Sequence, residues 1–210
     1  TYEDGGKRTI ELDALEDYIT ERGNPGNKKS IAEVDVLVNS PLLQRGVILV
    51  DTPGIGSTYI SNTRATYDFL SKLDAAIIVI GSDPPISEVE LDFVREVKPN
   101  VEGLFFVQNK MDRANAKDWN EALLFSKTVL EKDLKMDIKL YPLSSLNALE
   151  AKSRNDKEKL LESGLPVLEA DLEHFIMVEK GQLLLRSASR KLQRIVSDLR
   201  TSVDMEQRVM

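Results

Sequence analysis

Four short apolar runs, each closed by polar or turn-forming residues, set the rhythm of the chain at 47–50, 75–80, 103–108 and 138–143. Runs of this length predict strands, the first three, rich in Val, Ile and Phe, buried on both faces. Between them the apolar spacing becomes helical. Ala65, Phe69, Leu70 and Leu73 predict a helix from residue 62 to 73. Ser87 with Glu90 forms a capping box for a helix through about Val97, and residues 118–134 form an amphipathic helix. Strand and helix alternating in this way predict an α/β fold with a mostly parallel sheet flanked by helices. Before the first run, Ala32, Val34, Val36 and Val38 fall on one face with Glu33 and Asp35 on the other, and predict a strand that turns through 41–46 into an antiparallel neighbour at 47–50. Asp4-Gly5-Gly6 predicts a hairpin over 1–11, Asp13 and Glu16 a capped helix to about Thr20, and 23–30 a loop. From 146 onward the chain reads as helical, punctuated at Gly164-Leu165-Pro166 and softly at Gly181. Leu185, Ala188, Leu192, Ile195, Leu199 and Val203 then lie three or four apart, the seam of a helical bundle.

Composition narrows the possibilities. The 210 residues suffice for one α/β domain plus an appended piece. A net charge of −7 argues against a nucleic-acid partner. With no Cys, disulfides and thiolate metal sites are excluded, and the single His174, among helical residues, reads as a surface histidine. No apolar run approaches the ~20 residues of a membrane span, and no signal peptide opens the chain. The stretch from 181 to 210 holds six Lys/Arg against three Asp/Glu, which is either a solvated helix face or a patch for lipid or a partner.

The chemistry collects after the apolar runs. Asp51-Thr52-Pro53-Gly54 follows the first, Asn109-Lys110-Met111-Asp112 the third, and Ser144-Ser145-Leu146 the fourth. Ligands of open α/β sheets bind at this C-terminal strand edge. Asp-x-x-Gly suits a phosphate and Mg²⁺ site, with Asp51 on the metal side and Gly54 letting a backbone N–H approach a γ-phosphate. Guanine presents N1–H and N2–H₂ side by side, and the Asp112 carboxylate, expected to be buried, can accept both; adenine offers no such pair and would leave it underpaired. Asn109 can brace the loop or reach the base edge, the Lys110 stem can lie over the base, and Ser144-Ser145-Leu146 can offer backbone N–H groups to the base oxygen. Two P-loop look-alikes fail. Lys29-Ser30 has Lys28 where Gly-x-x-x-x-Gly-Lys-Ser/Thr needs its second Gly, and Gly6-Lys7 is followed by Arg8.

Together these three segments resemble the third, fourth and fifth nucleotide motifs of a guanine-nucleotide-binding domain. The wording from Asp51 through Gly56-Ser57-Thr58, Asn62-Thr63 leading a helix, and Ser82-Asp83-Pro84-Pro85-Ile86-Ser87 narrow the resemblance to bacterial dynamin-like GTPases. It implies a P-loop-NTPase-like fold whose first strand and P-loop are absent from these residues, followed by the start of a helical bundle. On that basis 1–165 is a partial GTPase domain, and 166–210 the C-terminal helices that begin a neck. The resemblance further implies Mg²⁺ with GTP or GDP, Asp51 holding the ion through water, a homodimer across the nucleotide face, and membrane lipids met by segments outside this chain. The protein would hydrolyse GTP and remodel membrane from the cytoplasm, peripheral to the bilayer.

The P-loop and the catalytic residues are expected upstream of Thr1. A P-loop cradle supplies much of the phosphate affinity in such proteins, and the first strand normally covers the edges of 47–50 and 75–80. These residues alone are therefore expected to bind guanine nucleotide poorly and to show no measurable hydrolysis. Two other readings stay open: a non-catalytic interaction module with a GTPase-like fold, and a GTPase of another branch.

Overall fold

The computed structural model describes residues 1–51, 73–83 and 85–179. The chain divides into two compact units, Thr1–Val50 and Asp51–Met210. The helix expected from residue 62 and the seam beyond 181 lie outside the described residues.

In the first unit the Asp4-Gly5-Gly6 turn forms, with the Gly5 N–H donating to the Tyr2 carbonyl at 3.0 Å and the Gly6 N–H to Asp4 Oδ1 at 2.8 Å. The hairpin expected over 1–11 does not follow it. Tyr2 instead pairs antiparallel with Ile31, supported by Glu3 N–H to the Ser30 carbonyl at 2.8 Å. Helix α1 (Glu16–Ile19) is present but lacks the expected box, because Leu15 occupies its N-cap and makes no side-chain cap bond. The 23–30 loop is built around Asn24, which is buried. Its Nδ2 donates to the Tyr18 carbonyl and to Asn27 Oδ1, each at 3.0 Å, while its Oδ1 accepts the Lys29 N–H at 2.9 Å. The Lys29 backbone N–H is thereby committed to the loop itself.

Two expectations fail in this unit. Neither 31–38 nor 47–50 is a strand, and Ile48 and Leu49 are 85% and 64% exposed rather than buried on both faces. Strand propensity reflects packing against cross-strand neighbours. Among the described residues nothing forms a ladder with 47–50, so its Val and Ile gain nothing from extending.

The second unit holds the expected parallel sheet. Strands β1 (Ala75–Ile80), β2 (Gly103–Gln108) and β3 (Leu140–Pro142) lie in the order β1-β2-β3, with Ala75 opposite Gly103 and Phe106 opposite Leu140. This small open sheet, flanked by helices, is the P-loop-NTPase-like α/β class read from the sequence. Helix α2 (Glu88–Val97) starts at the expected box: Ser87 N–H donates to Glu90 Oε2 at 2.7 Å, and Glu90 N–H to Ser87 Oγ at 3.4 Å. Helix α3 (Ala116–Leu134) starts slightly before residue 118, because the Asn115 side chain caps it through the Lys117 and Asp118 N–H groups. Helices α4 (Ser145–Arg154), α5 (Lys157–Glu162) and α6 (Leu165–His174) follow β3. None of the described helices is long and apolar enough to cross a membrane. His174 is exposed, as expected.

β2 is the centre of the unit. Phe106 packs on one face with Ile78, Ile80, Val94, Val97, Leu130 and Leu134. Phe105 and Val107 pack on the other with Tyr141, Leu143, Leu168 and Phe175. Gly103 allows the second layer to close, since a Cβ there would come within 2.7 Å of the Phe175 ring. β1 departs from expectation, because only one of its faces is buried. Ile78 and Ile80 point to the core, whereas Ile77 and Val79 are 40% and 57% exposed at the edge strand. The Gln108 amide and the Ser126 hydroxyl are fully buried without a partner among the described residues.

One polar cluster ties β3 to α6. Tyr141 OH donates to Asp171 Oδ2 at 2.6 Å, and Lys139 Nζ donates to the same oxygen. The Lys139 bond, then the Tyr141 bond, holds the Asp171 carboxyl below the usual carboxylate range. Burial, then the Asp171 bond, pushes the Tyr141 phenol above its usual value. A lowered acid stabilises above its unfolded pKa and that gain is lost as pH falls through the folded value; a raised phenol stabilises below its unfolded pKa and that gain is lost as pH rises through the folded value. The pair therefore supports the fold between about pH 4 and about pH 10. Tyr141→Phe is expected to lower stability at pH 7, with the deficit relative to wild type shrinking as pH rises above about 10. Urea unfolding curves across that range check this, and a deficit that stays constant would count against it.

Candidate functional site

The loops after β2 and β3 meet at the C-terminal edge of the sheet. The strand ladder continues into them: Asn109 N–H donates to the Ile80 carbonyl at 2.9 Å, Leu143 N–H to the Gln108 carbonyl at 2.9 Å, and Met111 N–H to the Leu143 carbonyl at 3.2 Å. Lys110 sits at φ 68°, a left-handed conformation uncommon for a residue with a side chain and found often at ligand loops. That turn carries the chain into a single 3₁₀ turn, Met111–Arg113, and leaves Lys110 and Asp112 exposed.

Asn109 does the bracing. Its Nδ2 donates to Ser145 Oγ at 2.9 Å, and its Oδ1 accepts the Ser145 N–H at 3.0 Å. This reciprocal pair joins the two loops and commits both ends of the amide. Ser144 is fully buried and serves two purposes. Its Oγ accepts the Asn147 N–H at 3.2 Å, capping α4, and its hydroxyl donates to Asp112 Oδ1 at 2.6 Å. An ionised carboxylate has about four acceptor sites. One contact from Ser144 therefore fixes the orientation of Asp112 and leaves room for two further donors side by side.

Two details differ from the sequence-based expectation. Asp112 is exposed rather than buried, because it stands on a one-turn 3₁₀ segment at the sheet rim. The backbone N–H groups of Ser144 and Ser145 are already used, by the Ser163 carbonyl at 2.9 Å and by Asn109. The first turn of a helix leaves N–H groups with no intrahelical partner. Among the described residues the Leu146 N–H is the one member of Ser144-Ser145-Leu146 left open for an incoming acceptor.

The phosphate half of the motif set is represented by Asp51, which is exposed and does not follow a strand; Thr52, Pro53 and Gly54 lie outside the described residues. Sequence reasoning missed Ser163 and Gly164, the corner on which Ser144 rests. Their only signal was the Gly164-Leu165-Pro166 punctuation, which read as a helix break.

An open parallel sheet with polar loops at its C-terminal rim defines a class of α/β domain whose ligands bind at that rim. Comparison with known proteins makes that class specific. The family model described as "Dynamin family" matches residues 1–111, just over half of the chain, and the chain belongs to the dynamin family. It is therefore a GTPase-like protein. It is 39% identical over 193 residues to a protein of Caldicellulosiruptor sp. (strain Rt8B.4) described as an uncharacterized protein in the xynA 3′ region, covering 91% of this chain and 48% of that one. It is 33% identical over 115 residues to the probable transmembrane GTPase FZO-like, chloroplastic, of Arabidopsis thaliana, covering 54% of this chain and 12% of that one. With dynamin-like protein 1 of Campylobacter jejuni the identity is 22% over 191 residues, 86% of this chain and 26% of that one. The chain spans about half the length, or less, of the curated relatives it matches.

Proposed function

We propose that these residues are part of a longer GTP-hydrolysing protein in which 1–165 contribute to the nucleotide domain and 166–210 begin a helical neck. Guanine is read by Asp112, whose carboxylate takes the N1–H and N2–H₂ donors. The Leu146 N–H takes the base oxygen, the Lys110 stem covers the ring, and the Asn109–Ser145 pair holds the two loops together. Asp51, Thr52, Pro53 and Gly54 form the phosphate side. The exposed Asp51 carboxylate suits Mg²⁺ held through water and shared with phosphate oxygens. Two copies meet across the nucleotide face, and hydrolysis is transmitted through the neck to remodel a membrane from the cytoplasmic side. Family membership supports the GTP-hydrolysing part of this reading, as does the name of the Arabidopsis relative, a probable transmembrane GTPase.

The observation that carries the proposal is the Asp112 carboxylate, pinned on one oxygen by Ser144 in the rim that also presents the open Leu146 N–H. Calorimetric titration of the full-length protein with GTP, GDP and ATP in the presence of Mg²⁺ tests it. GTP and GDP are expected to bind about a hundredfold or more tighter than ATP, because adenine leaves these polar groups without partners. Equal affinity for ATP and GTP would sink the assignment.

A further inference from the structure

We propose that the corner between α5 and α6, Ser163 and Gly164, sets the presentation of Asp112 and thereby controls selectivity for the 2-amino group of guanine. This rests on the guanine-reading role assigned above to Asp112. Ser163 and Gly164 are positioning residues with no contact to the base.

The argument starts from Ser144, whose polar groups are all committed. Its carbonyl accepts the Ala148 N–H at 3.0 Å, its Oγ accepts the Asn147 N–H, and its hydroxyl proton goes to Asp112 Oδ1 at 2.6 Å. A hydroxyl has one proton, so the carboxylate orientation follows wherever Ser144 is placed. The remaining group is the Ser144 N–H, which the Ser163 carbonyl holds at 2.9 Å. Ser163 is itself buried and immobilised: its N–H donates to the Lys159 carbonyl at 3.0 Å, and its hydroxyl donates to the Leu160 carbonyl at 2.6 Å.

Gly164 makes that approach possible. It sits at φ +80°, and a Cβ there would lie 2.1 Å from the Pro142 carbonyl oxygen. Pro142 ends β3 two residues before Ser144, so a side chain at 164 must displace the segment that carries Ser144. A second tie fixes α5 to α4, the helix that Ser144 caps: Lys159 Nζ meets Glu150 Oε2 at 2.6 Å. Lys159 holds the Glu150 carboxyl below its usual range, helped by Arg154, against the opposing effects of burial first and of the Asp112 charge last. Corner, cap and base-reading carboxylate thus form one connected unit.

The test uses the full-length protein and compares GTP with inosine triphosphate, which keeps N1–H but lacks the 2-amino group. Wild type is expected to prefer GTP by about tenfold or more, the value of one charge-assisted hydrogen bond. Gly164→Ala is expected to bring that ratio close to one, mainly through weaker GTP binding, while the affinity for inosine triphosphate changes much less. Ser163→Gly releases the corner without a clash and is expected to lower the ratio by roughly threefold, a fraction of one such bond. A purely structural role would lower thermal stability in both variants and leave the ratio untouched. Folding is monitored by circular dichroism and thermal unfolding; if Gly164→Ala does not fold, Ser163→Gly decides alone. A wild-type ratio in folded variants overturns the corner's role and spares the guanine assignment. A wild-type protein that does not distinguish GTP from inosine triphosphate overturns both.

Discussion

Asp112→Asn in the full-length protein is expected to weaken GTP binding by roughly a hundredfold or more and to strengthen binding of xanthosine triphosphate. The geometry supplies the reason. Ser144 donates to Asp112 Oδ1, so after substitution the amide oxygen takes that place and the NH₂ is forced to the other position. Guanine then meets a donor where its own 2-amino group is a donor and loses that bond, while its N1–H keeps only a neutral amide oxygen, so neither of the two bonds to a charged acceptor remains. Each is worth about 1.5–3 kcal/mol. Xanthine carries an oxygen at that ring position and accepts from the new NH₂. Equilibrium binding of the two nucleotides to wild type and variant reads the exchange directly. Undiminished GTP affinity in the variant would remove Asp112 from base recognition.

The parts of the chain that could be read in advance are those whose environment is local to the sheet edge. β2 is apolar over almost its whole length and is buried on both faces, because it is the central strand. Ser87 and Glu90 cap α2 as their spacing dictates, since a capping box involves only one turn of chain. The pairing of Asn109 and Asp112 with the Ser144-Ser145 loop follows from parallel strands ending at one rim. Residues 47–50 were misread for the converse reason. They resemble β2 in composition, but burial depends on neighbours that composition does not name, and Ile48 is 85% exposed. β1 stands between the two cases: Ile78 and Ile80 find a core, while Ile77 and Val79 lie on the open face of an edge strand. For the candidate site, the meeting of the loops at one rim was legible in the sequence and their wiring was less so. The serines after β3 spend two of their N–H groups on Ser163 and Asn109, and the Ser163 contact comes from a corner whose importance depends on a backbone approach at Gly164. No local pattern encodes that approach.

The site and the core are also linked energetically, and Phe106→Ala should expose the link. Phe106 is 1% exposed and sits where β2 is flanked by Ile78 on one side and Leu140 on the other. Truncation removes a buried ring from the layer built by Ile80, Val94, Val97, Leu130 and Leu134, at a cost of about 3–5 kcal/mol. Set against a typical domain stability of about 5–15 kcal/mol, this is a large share. Val79→Ala, on the exposed face of β1, should change stability by no more than about 0.5 kcal/mol. Hydrogen exchange at the β2 amides of the full-length protein in rising urea distinguishes the two, because those amides exchange when this unit opens. The same substitution bears on nucleotide binding. Asn109 continues β2 by donating to the Ile80 carbonyl, and Leu143 reaches back to Gln108, so a strand that loses its central anchor also loses the register of both loops. GTP affinity is therefore expected to fall together with stability in Phe106→Ala and to be unchanged in Val79→Ala. A Phe106→Ala protein as stable as Val79→Ala would mean that the α2 and α3 layer does not hold β2 in place.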